Sequence, residues 1–566
     1  MKSFFRSAIA LLLLLTLAVE TVQSQVGWTK SYERAAVVTA ERHASEIGRE
    51  ILRSGGNAVD AAVAVQFALA VTLPRAGNIG GGGFMVIHLA DGTDTALDYR
   101  EKAPLGAGPD MYLRDGEYIP ELSREGALAV GVPGVVDGMV RALQRHGRLP
   151  LEMVMAPAVK LAREGYRLSL TQAEDLNNHA DAFRNYAASE EYFTRSDGRP
   201  WREGDLFVQE DLARTLERIA RQGREGFYAG ETAEMIVREM EKQEGLITRR
   251  DLREYRSVWR EPVTAEWNGY RLHVMPPPSS GSIAIAQILT MLEPYDLQDM
   301  GFNSARYVHL LTETMRRAFA DRSYFLGDPD YVDIPRQELL SEEYNRGRMA
   351  SYDPDAATSS NEIGHGEVAG FEESRETTHF SVVDSAGNAV GVTTTLNGSF
   401  GSHVSVGGAG FALNNEMDDF TAKPGEPNMF GLIQGEANAV EPGKRMLSSM
   451  SPTVVTRGGQ VRAVLGAAGG PRIITATLQS FLNMAVFGMN AQEAISAPRF
   501  HHQWLPDNLY YEEYGLSPDT REILLGMGHN LQATGGVGRG HIIWVDGEGR
   551  RHGAADPRGD GYTMGY

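Results

Sequence analysis

Two short segments around Thr377 bring hydroxyl groups together in a way that could support nucleophilic chemistry. Thr377-Thr378-His379-Phe380-Ser381-Val382-Val383-Asp384 is rich in β-branched and aromatic residues and reads as a strand. Ser385-Ala386-Gly387-Asn388 reads as a turn, and Ala389 to Asn397 returns as a second strand. A two-residue loop at Ala386-Gly387 sets Thr377 opposite Leu396, whereas a one-residue glycine bulge sets it opposite Thr395. Either register delivers Thr395 and Asn397 to the neighbourhood of Thr377. A threonine hydroxyl is a weak nucleophile until a base takes its proton. At a chain terminus the residue's own α-amine can do so, with a reference pKa of ~7.7–8.0. His379 lacks spaced partners and reads as a packed histidine rather than a base.

Two glycine-rich turns offer backbone amides. Gly77-Asn78-Ile79-Gly80-Gly81-Gly82-Gly83 lies between a helix and a strand, and Gly466-Ala467-Ala468-Gly469-Gly470 between a strand and a helix. Neither is followed by Gly-Lys-Ser/Thr, so a phosphate loop is excluded. The first reads as a place of close backbone approach. The second lies at a helix start, where amides can hold an anion. Adjacent His501 and His502 lack a third spaced ligand, so no metal is expected from them.

The elements that must position these groups are legible from periodicity. Ala44 to Ser54, Ala58 to Leu73, Tyr307 to Ala320 and Thr475 to Phe487 read as helices. Phe84 to Leu89, Tyr270 to Met275 and Val461 to Leu465 read as strands. Tyr352 to Arg375 is rich in Asp, Glu, Ser, Ala and Gly without apolar period, and reads as an exposed loop feeding straight into the strand at Thr377. Such a junction can be cut without loss of the core.

Composition narrows the class. The 566 residues are 42% hydrophobic with a formal net charge of -20, which suits a globular protein and argues against a nucleic-acid partner. Cysteine is absent, which excludes a disulfide framework, a cysteine nucleophile and a thioether lipid anchor. Lys2 and Arg6 precede an apolar run from Ala8 to Val19, with small and polar residues through Ser24. This reads as an export leader over residues 1–24, too short to span a bilayer, which implies a periplasmic or extracellular protein without stable membrane insertion.

The segment Thr377 to Asp384, with its return strand through Asn397, resembles the start of the small subunit of γ-glutamyltranspeptidases. Further ordered matches are Gly55 to Ala62, Gly77 to Phe84, Asp98 to Pro104, Met275 to Gly281, Ala320 to Arg322 and Gly327 to Pro329. They continue through Asn414 to Phe420, Leu447 to Thr453, Ala497 to Gln503 and Asp556 to Arg558. The resemblance implies a four-layer αββα sandwich of the N-terminal nucleophile hydrolase type. It implies a precursor cut at Glu376–Thr377 into a large subunit of residues 25–376 and a small one of residues 377–566, which form one domain. Thr377 would be the nucleophile and Thr395 its orienting partner, with Gly469 and Gly470 supplying the oxyanion hole. Arg100, Ser448 and Ser449 would hold the substrate α-carboxylate, and Asn397, Glu416 and Asp419 its α-ammonium. Donors would be glutathione and related γ-glutamyl amides, and acceptors water, amino acids or dipeptides. No cofactor and no metal is expected.

Two departures from the family pattern stand out. Phe430 occupies a lid position that carries tyrosine in many bacterial members, and Glu416 one that carries glutamine in some. The neighbouring alternatives are a glutaryl-type cephalosporin acylase and a non-catalytic secreted relative. Glu416 and Asp419 argue against the first, and Thr377, Thr395 and the Gly469-Gly470 pair against the second.

Overall fold

Alternation along each strand decides which layer a side chain joins. The computed structural model describes residues 29–363 and 377–566, so the expected leader, Glu376 and the end of the acidic loop lie outside the described residues. The strands that build the core are β1 (Lys30–Tyr32), β2 (Ala36–Thr39), β3 (Gly82–His88), β4 (Asp94–Asp98), β5 (Val258–Arg260), β6 (Val263–Trp267) and β7 (Tyr270–Val274). After them come β8 (Thr378–Val383), β9 (Ala389–Thr395), β10 (Thr453–Arg457), β11 (Gln460–Leu465), β12 (Arg539–Val545), β13 (Arg551–Ala555) and β14 (Tyr562–Gly565). One sheet runs β14-β2-β8-β9-β3-β4-β5, and the other β1-β13-β12-β11-β10-β7-β6 with a short strand at Ala467–Ala468 beside β12. Neighbouring strands in both are antiparallel.

Phe84 and Val86 of β3 pack between the sheets with Val454, Val464 and Ile543. Their neighbours Met85 and Ile87 point the other way, beneath helices α1 (Arg42–Arg53), α2 (Ala58–Thr72), α3 (Val135–His146) and α4 (Leu151–Glu164). On the second sheet Leu272, Val455, Ala463 and Ile542 face α5 (Gly281–Leu292), α6 (Ala305–Phe325) and α7 (Arg472–Ala485). The result is the expected αββα order. Burying each large apolar side chain contributes ~1.5–3 kcal/mol, so slipping one strand by a residue would exchange core for solvent along its whole length.

Local chemistry sets the ends. Asn57 caps α2 in a reciprocal box with Asp60, and all residues of that helix are buried, as its unbroken apolar run requires. The β8–β9 loop is Ser385-Ala386-Gly387, with Gly387 at φ +93° and Asp384 N donating to Asn388 O at 3.0 Å. Thr378 pairs with Thr394, so the bulged register holds and Thr377 faces Thr395 rather than Leu396. Asp384 locks this turn by accepting from Ala386 N, Asn388 N and Ala58 N at the start of α2.

Candidate active site

Thr377 sits at the head of β8, largely buried, with its Oγ1 3.4 Å from the Thr395 hydroxyl at the end of β9. Thr395 is held on two sides. Asn397 N donates to its Oγ1 at 2.8 Å, and Asn78 Nδ2 donates to its backbone carbonyl at 2.9 Å. The second of these comes from the first glycine turn. There a β-carbon on Gly81 would lie 2.2 Å from the Thr395 carbonyl oxygen, and one on Gly80 2.1 Å from that of Ala412. The glycines are required by close backbone approach, as the sequence suggests.

One narrow cleft is lined by Thr377, Thr395, Asn397, Arg100, Glu416, Asp419, Ser448, Ser449, Phe430 and Gly470. Of the residues expected at the site, Gly469 stands one position behind this wall. Gly469 and Gly470 have φ of +129° and +52° and precede α7, whose first amides have no intrahelical acceptor. A β-carbon on Gly470 would meet the Phe430 ring at 2.7 Å. Phe430 therefore packs over the glycine turn, and its carbonyl accepts from Gln503 Nε2 at 3.3 Å. Asn397 Nδ2 turns instead to the Asn415 carbonyl at 3.1 Å and the Met429 sulfur at 3.4 Å. The loop carrying Phe430 is pinned at Asn428, which donates to Asp419 Oδ1 at 3.2 Å and accepts from Phe430 N and Leu432 N.

Arg100 is the electrostatic centre. Its Nη1 donates to Glu416 Oε1, its Nη2 to Asp419 Oδ2 at 2.5 Å and to the Leu447 carbonyl at 3.1 Å, and its Nε to the Met446 carbonyl at 3.3 Å. Burial acts most strongly on the acids and raises all of them, with Arg100 pulling back: Asp419 to about 6, Glu101 to about 7, and Glu416 well above the usual carboxylate range. Burial pulls Arg100 down, but Glu416 and Asp419 more than offset this and hold it above its ordinary value. The cleft can thus present a guanidinium to an anion and a cluster of acids to a cation within a few ångströms.

Two further groups belong to the site and were not singled out for chemistry in the sequence. Glu101 is fully buried, with its Oε2 3.8 Å from Arg100 Nη1. Arg322 lines the cleft, donates to Ser449 Oγ at 3.3 Å and Ser280 Oγ at 3.0 Å, and is lowered to about 10 by burial. Both stand inside stretches that carry the family resemblance, Asp98 to Pro104 and Ala320 to Arg322. Their spacing alone signals nothing. Ser448 is positioned through its backbone, accepting from Ser280 N at 2.7 Å and donating to the Pro278 carbonyl at 2.8 Å.

His379 lies outside the cleft, on the face between the sheets. Its Nδ1 meets Thr393 Oγ1 at 2.9 Å and its Nε2 Ser381 Oγ at 3.1 Å, and burial holds it well below the ordinary histidine value. His501 is bonded to Thr475 and Gln503, and His502 to Asp507 and Trp504 N. The two rings address different partners and do not converge. Among the described residues no helix is long and apolar enough to cross a membrane.

A family model for gamma-glutamyltranspeptidase matches residues 44–566. The glutathione hydrolase proenzyme of Escherichia coli (strain K12) is 47% identical over 537 residues, covering 94% of this chain and 92% of that one. The crystal structure of cephalosporin acylase from Bacillus halodurans superposes with a TM-score of 0.84 at 28% identity, covering 95% of this chain and 97% of the other. That of Helicobacter pylori gamma-glutamyltranspeptidase gives 0.57 at 46% identity, covering 57% of this chain and 93% of the other.

Proposed function

The chain belongs to the gamma-glutamyltranspeptidase family, and from that premise we propose that it is a self-processing glutathione hydrolase and γ-glutamyltransferase that works through Thr377. The observation that carries the reading is the single cleft in which the Thr377 hydroxyl, 3.4 Å from that of Thr395, faces the Arg100, Glu416 and Asp419 cluster and the Gly470 turn.

In the maturation step Thr377 Oγ attacks the Glu376 carbonyl carbon, the peptide C–N bond breaks, and an ester replaces it. The Oγ proton passes to the departing nitrogen, so this shift already frees the Thr377 α-amine; water then hydrolyses the ester, releasing the Glu376 carboxylate and restoring the Thr377 hydroxyl. In turnover that amine accepts the Oγ proton while Oγ attacks the γ-carbonyl carbon of the donor. The oxyanion is held by the Gly469 and Gly470 amides, and a donor of this kind contributes about 3–4 kcal/mol in the transition state. The amine of the leaving group takes the proton as its C–N bond breaks. Water or the amine of an acceptor amino acid or dipeptide then attacks the γ-glutamyl ester and restores the hydroxyl. Arg100 with Ser448 and Ser449 receives the α-carboxylate, bidentate geometry suiting a guanidinium. Asn397, Glu416 and Asp419 receive the α-ammonium. A glutaryl side chain carries the same carboxylate but no ammonium, so it would leave Glu416 and Asp419 without a cationic partner, which favours the γ-glutamyl donor over an acylase substrate.

The proposed chains are residues 25–376 and 377–566, exported behind a leader of residues 1–24. An intact-mass spectrum after incubation at neutral pH tests the cut: two chains are expected, the smaller with the mass of residues 377–566. The Thr377→Ala variant should stay as one chain and release no anilide from a γ-glutamyl anilide. An uncut yet active Thr377→Ala protein would sink the proposal.

A further inference from the structure

A second cluster of chemically capable side chains lies at the opposite end of the sandwich. The pleat places His88 and Asp94, opposed across β3 and β4, on the face between the sheets with Phe84, Val86 and Ala96. His273 of β7 lies on the inner face of the other sheet, because its neighbours Leu272 and Val274 pack outward against helices. All three therefore meet at the rim where the sheets face each other. His88 Nδ1 is 2.7 Å from Asp94 Oδ1, and His273 Nδ1 is 3.3 Å from Asp94 Oδ2. The three donor groups lie within 4.8 Å of one another.

We propose that His88 Nδ1, Asp94 and His273 Nδ1 form a binding site for a divalent transition metal ion of the zinc type, bridging the two sheets. Two nitrogen or oxygen donors on one tetrahedral zinc, each ~2.1 Å from it, stand about 3.4 Å apart. The 3.3 Å separation between His273 and Asp94 is of this size, while His88 Nδ1 and Asp94 Oδ1, hydrogen-bonded at 2.7 Å, would part by about 0.7 Å as the ion replaced the proton between them.

The orientation of His273 argues for the site independently. The Thr456 hydroxyl lies 3.1 Å from His273 Nε2 and is turned toward the Arg271 carbonyl at 3.5 Å. With the hydroxyl as acceptor, Nε2 carries the proton and Nδ1 is the lone-pair nitrogen; with the hydroxyl as donor, the proton sits on Nδ1. That nitrogen is buried, makes no hydrogen bond, and is aimed at a carboxylate oxygen. In the tautomer with its proton on Nε2, the Nδ1 lone pair faces the carboxylate oxygen, and a cation between them would be bound by both. A ring nitrogen that donates outward while its partner faces the ion is also how metal-binding histidines are commonly oriented. The ion pairs of Asp94 are with these two histidines, and the charged neighbour facing His273 from its own strand is Arg271. Asp94 is about a quarter exposed, and His88 lines a cleft of about 350 Å³ with Arg462, Asp546 and Arg551 on its walls, so an ion can enter.

A second grouping, His309, Glu313 and His529, differs in kind. Its carboxylate already accepts from Arg317 at 2.6 Å and Arg316 at 3.3 Å, and the His309 Nε2 proton goes to the Asp353 carbonyl at 2.8 Å. Two guanidiniums beside the acid leave a dication nothing to neutralise.

The proposed site does not depend on the catalytic reading. Thr395 pairs with Gly82 at one end of β3 and Ala389 with His88 at the other, a separation of about 20 Å along the strand. The test strips the full-length protein with a chelator, dialyses it against zinc or cobalt(II), and counts metal per chain by mass spectrometry. One equivalent is expected, with a visible cobalt band whose intensity marks low coordination. Asp94→Asn and His273→Gln should each reduce uptake to background, and Thr456→Val should weaken it about 10- to 100-fold. Asp94→Asn should keep the parent's γ-glutamyl anilide hydrolysis, which shows that it folds. Less than one equivalent bound by the parent, or undiminished binding by the folded Asp94→Asn variant, would overturn the proposal.

Discussion

At the scale of single residues the cleft is a problem in charge. Arg100 is almost fully buried and touches two acids, so its replacement should disturb the acids and, on the proposed function, substrate binding as well. Lysine keeps the charge but cannot span Glu416, Asp419 and an incoming carboxylate at once. Arg100→Lys should therefore lower kcat/KM by about 10- to 100-fold, mostly through KM, the range set by losing one charged hydrogen bond of about 1.5–3 kcal/mol. Steady-state kinetics with a γ-glutamyl anilide checks this, and an unchanged KM would mean that another group grips the carboxylate. The acids add a pH dependence. Asp419 is raised to about 6 by burial, so it is neutral below that pH and anionic above it. Affinity for an ammonium group should fall as pH drops through about 6, and KM should rise. In Asp419→Asn the KM should be high and flat across the same range. The stability sign is opposite: a carboxyl raised in the folded state favours folding at low pH, and that contribution is lost as pH rises through about 6 for Asp419 and about 7 for Glu101. Thermal melts of Glu101→Gln should accordingly lose part of the decline between pH 4 and 7.

At the scale of elements, the β8–β9 hairpin sets the distance between the two threonines. Asp384 accepts hydrogen bonds from Ala386 N, Asn388 N, the Asn388 side chain and Ala58 N, joining the loop to the start of α2. Asp384→Ala orphans several buried amides and should cost about 2–3 kcal/mol in denaturant unfolding. It should also slow self-cutting, because the bulged register is what aligns Thr377 with Thr395. A variant that unfolds and cuts like the parent would show that neighbouring strands hold the register unaided. The ends of these elements were largely legible: the helix expected to end near Ser54 ends at Arg53, and the one expected over Ala58 to Leu73 runs to Thr72. The helix read as Tyr307 to Ala320 extends over Ala305–Phe325, because Asp321 and Arg322, just past its expected end, are buried in hydrogen bonds to Gln287 and Ser280 rather than exposed. Periodicity counts such residues as solvent-facing and stops short.

At the scale of the whole molecule, strands from before and after Thr377 alternate within both sheets. In one, β2 lies between β14 and β8, while β9 is followed by β3. In the other, β1 pairs with β13, and β10 with β7. A cut before Thr377 leaves every one of these ladders intact. The two chains should therefore co-elute as one species of full mass after processing, with no disulfide needed, and separate only when the fold is lost in denaturant. Size-exclusion chromatography with mass detection reads this directly. Dissociation in plain buffer would be incompatible with the interleaved sheets.

The sequence by itself determined the nucleophile candidate, the paired strands that carry Thr395 and Asn397 to it, the layer order and the family, since each rests on local periodicity or on contiguous motifs. Tertiary structure alone decided the rest. It chose the bulged register, set the partners His379 packs against between the sheets, buried Glu101 against Arg100, and brought Arg322 to the cleft. It also joined His88 and Asp94 to His273, some 180 residues away in the chain, across the sandwich. The physical reason is the same in each case. Charge pairing and burial between sheets depend on which faces meet, and a one-dimensional pattern records the face of a strand but not what lies opposite it.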